Sequence, residues 1–269
     1  LIRLFAHTGC DRRRRDGIDA LRRMGAMRYR AAVLACLLVF GLPACKPAAM
    51  SNEPFTSPAL APLADAVRRG DAAEIRRQLQ SVPADTPGAD GSTLLMAAIV
   101  KGNADSTRAL LDGGADPNRA GPDGKTPVHL AAFADNPELL RIVLAHGGKA
   151  DALDTRTGAT PLESALLGGN PTQLQILLDA GADPDHADRN GDTPLHVAAR
   201  TNAGAALLKL LERGAHAQAK NSRGASFQSY YFKFPRNALN DRALSERRAV
   251  VAWLKTHNVP LEASVQDDY

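Results

Sequence analysis

The chain has 269 residues, 44% of them apolar by type and only 4% aromatic. Its formal charge of +4 is unevenly laid out, because residues 46–269 carry 24 Lys and Arg against 26 Asp and Glu. A near-neutral body removes the electrostatic case for nucleic acid as a partner, and the lack of any cysteine after Cys45 excludes a disulfide scaffold.

The front of the chain is compositionally separate. Residues 1–26 begin with leucine and contain the run Arg12-Arg13-Arg14-Arg15 with little hydrophobic periodicity. They fit translation upstream of the real start, with a basic leader as the alternative. Met27-Arg28-Tyr29-Arg30 then precedes an apolar run over residues 31–42, far short of the roughly 20 residues that a membrane-spanning helix needs. Leu42-Pro43-Ala44-Cys45 closes the run and resembles a bacterial lipobox. That resemblance implies a signal peptide over residues 27–44, a diacylated Cys45 and a lipid-anchored periplasmic protein. Lys46 favours the outer membrane by analogy with enteric lipoproteins, and an ordinary cleaved secretory signal is the plainer alternative. Residues 45–57, with Pro47, Ser51, Asn52, Pro54 and Ser57, read as a flexible tether.

From there the chain is periodic. Gly91, Gly124, Gly158, Gly191 and Gly224 recur at steps of 33, 34, 33 and 33 residues. The words that follow include Lys125-Thr126-Pro127-Val128-His129, Ala159-Thr160-Pro161-Leu162-Glu163 and Asp192-Thr193-Pro194-Leu195-His196. A second word, such as Gly114-Ala115-Asp116-Pro117-Asn118 or Gly181-Ala182-Asp183-Pro184-Asp185, precedes each next glycine by about ten residues. Within one unit, Thr193 caps a short helix, Pro194 sits where a missing N–H is harmless, and Leu195, Ala198 and Ala199 line one face. Leu207, Leu208, Leu210 and Leu211 give a second helix with a wide apolar stripe, which Gly214 ends. Asp188-Arg189-Asn190-Gly191 is a turn.

These words resemble the ankyrin-repeat family over about residues 58–262. The resemblance implies an all-α solenoid of about six helix pairs with short hairpin turns. Residues 58–90 read as a polar cap whose outer face carries Arg68, Arg69, Arg76, Arg77 and Gln78. Residues 225–262 read as a closing cap in which Phe227 and Gln228 replace Pro-Leu, and residues 263–269 as a tail.

Chemistry-bearing sets are scarce. His129 and His196 are the histidines of the repeated word, and the resemblance implies that they hydrogen-bond between repeats instead of binding a metal. Asp116, Asp151, Asp183 and Asp185 fall one per turn and read as turn residues instead of a cation site. No Gly-rich phosphate loop or nucleophile elbow is present, no cofactor is expected, and a hydrolase would need a hidden site in the closing cap.

Function then falls to the surface. The resemblance implies contact through turn tips and the exposed side of each first helix: Arg119, Asp123, Arg156, Asp188, Arg189, Lys220 and Arg223 at tips, and Lys101, Phe133, Leu167 and Arg200 on first helices. Phe227, Tyr230, Tyr231, Phe232 and Phe234 hold five of the nine aromatics after Cys45, and they read as core sealed by Trp253 or, through Tyr230 and Tyr231, as an anchor for a partner. The expected protein is a non-enzymatic binding module, monomeric alone. Its partner is another protein, either a toxic envelope-targeting effector that it neutralises or a periplasmic enzyme that it supports in stress defence. Its tie to the membrane runs through the lipid.

Overall fold

The computed structural model describes residues 54–266. The expectations placed on residues 1–53, including the signal segment and Cys45, lie outside the described residues.

Six helix pairs follow one another: α1 (Ala61–Arg69) with α2 (Ala72–Gln78), α3 (Leu94–Val100) with α4 (Ala104–Asp112), and α5 (Pro127–Phe133) with α6 (Pro137–Ala145). Then come α7 (Pro161–Leu167) with α8 (Pro171–Asp179), α9 (Pro194–Arg200) with α10 (Gly204–Glu212), and α11 (Phe227–Tyr231) with α12 (Asp241–Thr256). A short α13 (Ala263–Gln266) ends the described chain, and no strand occurs among the described residues. First helices pack on first helices from pair to pair, and second helices on second helices at every step but the looser one from α8 to α10, which is a solenoid.

Local chemistry explains each helix start. Thr93 accepts the Met96 N–H, and at α5 and α9 the Thr126 and Thr193 hydroxyls meet His129 and His196 Nδ1 at 2.9 Å in capping boxes. Ser226 takes over this duty at α11, accepting the Gln228 N–H at 3.1 Å. The periodic glycine answers a double demand at Gly191: its φ is +72°, and a Cβ there would stand 2.7 Å from the Ser222 backbone nitrogen of the next tip. Stability comes from burial between pairs. Leu110, Leu139, Leu140, Leu177, Leu207 and Leu210 all lie within one continuous core with negligible exposure.

The ends differ from the sequence boundaries. Phe55 is buried and Pro54 O accepts the Ala89 N–H at 2.7 Å, so the expected tether to residue 57 already gives way to the array at Pro54. The reason is the Phe55 ring, which joins the continuous core and stands so close to Gly88 that a Cβ there would lie 2.9 Å from its Cε1. At the far end Val265 of α13 is buried in the core, so packing runs past the expected limit at 262. The arginines of the first pair are exposed, with Arg69 paired to Asp65 and Arg77 to Glu74.

Truncating Leu210 to Ala should cost about 2–5 kcal/mol in urea unfolding, whereas Arg223→Ala at an exposed turn should cost under about 0.5 kcal/mol. Equal losses at the two positions would contradict the assigned faces.

Candidate functional site

The histidines of the repeated word carry no spare chemistry. His129 Nδ1 accepts the Thr126 backbone N–H at 3.2 Å, which places the proton on Nε2, and Nε2 donates to Ala159 O of the next repeat at 3.1 Å. His196 repeats the arrangement with Thr193 N–H at 3.1 Å and Ala225 O at 3.0 Å. Burial pushes the His129 pKa down, so the ring is neutral at physiological pH. Both nitrogens are engaged, leaving no lone pair for a metal.

The turn carboxylates do more than shape their own turns. Asp116 and Asp183 accept the N–H two residues on, at 2.8 and 2.9 Å. A second series bridges repeats: Asp85 accepts Asp116 N–H, Asn118 accepts Lys149 N–H, Asp151 accepts Asp183 N–H and Asp185 accepts His216 N–H, at 2.6–3.0 Å. No cluster of His, Cys, Asp and Glu suited to a metal ion occurs among the described residues.

The tips are also tied together. Thr155 N–H donates to Gly124 O, Arg189 N–H to Thr157 O and Ser222 N–H to Asn190 O, all at 2.9–3.0 Å. Buried Asp154 organises one tip. Burial raises its pKa, but hydrogen bonds from the Arg156 and Thr157 N–H groups and from Lys125 outweigh this and hold it below the usual carboxylate range. Asp192 behaves alike through Asn221 and Arg200, which outweigh its burial.

Against this scaffold the expected contact residues separate into groups. Lys101, Arg119, Asp123, Arg156, Lys220 and Arg223 are exposed as anticipated, and so are Phe133 and Leu167. Arg189 is exposed but its guanidinium bonds to Arg156 O at 2.7 Å and Thr155 O at 2.8 Å of the preceding tip. Asp188 is half-buried, and its carboxylate accepts Asn190 N–H and Asp192 N–H at 2.8 Å, so it serves the turn. Arg200 pairs with Asp192 and lies 5.9 Å over the Tyr230 ring.

Tyr231 is a correction. It is 1% exposed, like Phe227, and belongs to the core, so it is not an anchor for a partner. The cause is Arg247, a buried arginine of α12 that donates to Tyr231 O and Phe234 O at 2.6 Å and sits over the Tyr231 ring at 5.3 Å. Gly204 lets this unit close. A Cβ there would collide with the Tyr231 hydroxyl and stand 2.6 Å from Glu246 Cβ. Tyr230 remains half-buried at the surface, Trp253 stacks on His257 at 3.9 Å, and Phe234 is exposed. The overhanging start of α12 also walls a cavity of about 320 Å³ against Ala165, Leu174 and Ala203. Its polar groups are largely engaged: Asn240 caps α12, Asn170 donates to Phe133 O, and Glu246 accepts from Arg242.

A family model described as ankyrin repeats, in three copies, matches residues 63–154 and 136–221. The chain belongs to the ankyrin-repeat family. Protein PhlB of Serratia liquefaciens is 43% identical over 174 residues, covering 64% of this chain and 77% of that protein. The inactive serine/threonine-protein kinase TEX14 of Mus musculus is 34% identical over 96 residues, only 7% of its own length. Among solved structures, the ankyrin repeat domain of Bcl-3, a member of the IkappaB protein family, superposes with a TM-score of 0.63 at 26% identity. It covers 71% of this chain and 85% of its own. The ankyrin repeat protein EF0377 gives 0.61 at 23% identity, over 71% and 96%, a likeness of fold alone. Ankyrin repeats are in general non-enzymatic protein-interaction scaffolds, and this one is read accordingly as a protein-binding array.

One member of the ankyrin word stands apart. Glu163 occupies the place of His129 and His196, is 6% exposed, and its Oε1 and the neighbouring Thr160 Oγ1 have no hydrogen-bond partner. Burial first, then the charges of Asp188 and Asp192, push its pKa up from 4.5 to about 8, against the pull of the Thr160 backbone and Arg200. The folded state therefore holds a proton that the unfolded chain has lost above about pH 4.5, and stability falls as pH rises toward 8. Glu163→Gln should raise stability by about 1–3 kcal/mol at pH 8 and flatten the loss between pH 5 and 8, followed by urea titration at each pH. A variant no more stable than the parent at pH 8 would show that the carboxyl is ionised in the folded chain.

Proposed function

We propose that this protein is a non-enzymatic ankyrin module held at the bacterial cell envelope by a lipid on Cys45, where it binds and neutralises an effector protein that attacks the envelope. The observation that carries the binding part is the contrast between the two kinds of surface residue. Groups that would do chemistry, namely His129, His196 and the turn carboxylates, are engaged in joining repeats, while a row of first-helix ends and tips is left to solvent. The envelope part rests on the basic, apolar and Ala-Cys succession of residues 27–45. Immunity is the reading that unites an exported address with a surface for a protein. Support of a periplasmic enzyme in stress defence uses the same surface, and the identity of the neighbouring gene separates the two.

A lipid-anchored protein should label with palmitate and fractionate with membranes, whereas Cys45→Ala should be released or accumulate as unprocessed precursor. A parent chain that is unlabelled and soluble removes the anchor. For the binding itself, Arg156→Ala with Arg223→Ala should weaken the native complex by about 10-fold or more without lowering Tm. Cells lacking the gene that survive challenge by siblings delivering the effector would remove the immunity reading.

A further inference from the structure

Five large apolar side chains are exposed among the described residues: Val100, Phe133, Leu153, Leu167 and Phe234. Three of these share one position. Val100, Phe133 and Leu167 are the last residues of α3, α5 and α7, at 70%, 57% and 62% exposure. Such coincidence is unlike the single scattered apolar residues of an ordinary surface. Half-buried Ala97 and Leu130 lie one turn back on the same side of α3 and α5, which widens the row into a patch.

At the next two steps the row changes character. Arg200 ends α9, exposed over the ring of half-buried Tyr230 with its charge met by Asp192, and exposed Lys233 takes the corresponding step just beyond α11. The tips follow the same polarity. Asp90 and Asp123 stand at the first two, with exposed Arg119 beside the second, whereas Arg156, Arg189 and Arg223 stand at the last three, where Asp188 is turned to its own backbone. The surface is thus more apolar and charge-balanced toward the first repeats, where Lys101 and Arg119 offset Asp90 and Asp123, and more cationic toward the last.

We propose that the partner enters as an amphipathic helix laid across the first helices, apolar over Val100, Phe133 and Leu167 and acidic over Lys233 and the arginine tips. This rests on the protein-binding reading above and names what that surface takes. Packed helices stand about 8–10 Å apart, a step that a crossing helix covers in about five to seven residues at 1.5 Å each, so apolar residues on one face meet successive members of the row. A strand is disfavoured, because the row consists of side chains on helices and offers no main-chain edge to satisfy a strand's N–H and C=O groups. The reverse direction would set carboxylates against Asp90 and Asp123, which fixes the orientation.

Two synthetic helical peptides of about 25 residues test this against the full chain by fluorescence anisotropy. Both carry leucines on one face along one half, and the other half carries glutamates in the first peptide and lysines in the second. The acidic peptide should bind at least about tenfold tighter, and Phe133→Asp with Leu167→Asp should cost it about tenfold or more. Arg156→Glu with Arg223→Glu should invert the order of the two peptides, with the thermal melt unchanged. Equal affinity for the two peptides, no binding of either, or indifference to the Phe133 and Leu167 changes overturns the proposal. If the native partner is retained equally by Phe133→Asp/Leu167→Asp, this surface fails while protein binding stands. If the chain captures no partner from its own cells, the reading beneath falls with it.

Discussion

Every feature of this protein depends on the fact that one pair of short helices cannot bury its own apolar faces. First helices of about two turns and second helices little longer would be marginal alone in water, and they persist because Leu110, Leu140, Leu177 and Leu210 are sealed by the pairs on either side. Leucine contacts are tolerant of small slides, so register needs directional bonds. The histidine bridges to Ala159 O and Ala225 O and the Asx bridges from Asp85, Asn118, Asp151 and Asp185 supply these, one set along the first helices and the other along the turns.

That division of labour explains where function can live. Polar groups that hold the array are consumed by it, and the closing unit is likewise committed inward, with Arg247 drawing the Tyr231 and Phe234 carbonyls onto α12. The residues left over are those whose identity the stack does not dictate: helix ends such as Val100, Phe133 and Leu167, and tips such as Arg156 and Arg223. Among the described residues Glu163 is the single place where the repeated word is broken by a buried, half-satisfied carboxyl, and burial, which pushes its pKa up to about 8, favours the neutral form that the array can hold below that pH.

Much of this was legible in the residues. The glycine period, the Thr-Pro caps and the leucine stripes contain the fold almost completely, since each acts within one unit. The histidine bridges were legible through the family resemblance. The Asx bridges were not, because Asp151 and Asp185 read as ordinary turn residues and their partners lie 32 and 31 residues away. The burial of Tyr231 was not legible for a related reason: an aromatic cluster has the same composition whether it seals a core or faces a partner, and the residue that decides between these two readings, Arg247, lies 16 residues further along the chain. Phe55 was hidden in a segment whose prolines and serines read as tether. At the surface, exposure of Phe133 and Leu167 followed from position in the repeat, whereas the occupation of Asp188 by its own turn required the geometry.

In the proposed mode of binding, the first-helix ends and tips receive a protein while the second helices serve only the stack. Hydrogen–deuterium exchange of the full chain with its captured partner measures this directly. Protection should appear at the ends of α3, α5, α7 and α9 and in the tips around Arg156, Arg189 and Arg223, with α4, α6, α8 and α10 unchanged. Protection confined to the second helices, or none in the first-helix ends, would contradict the account.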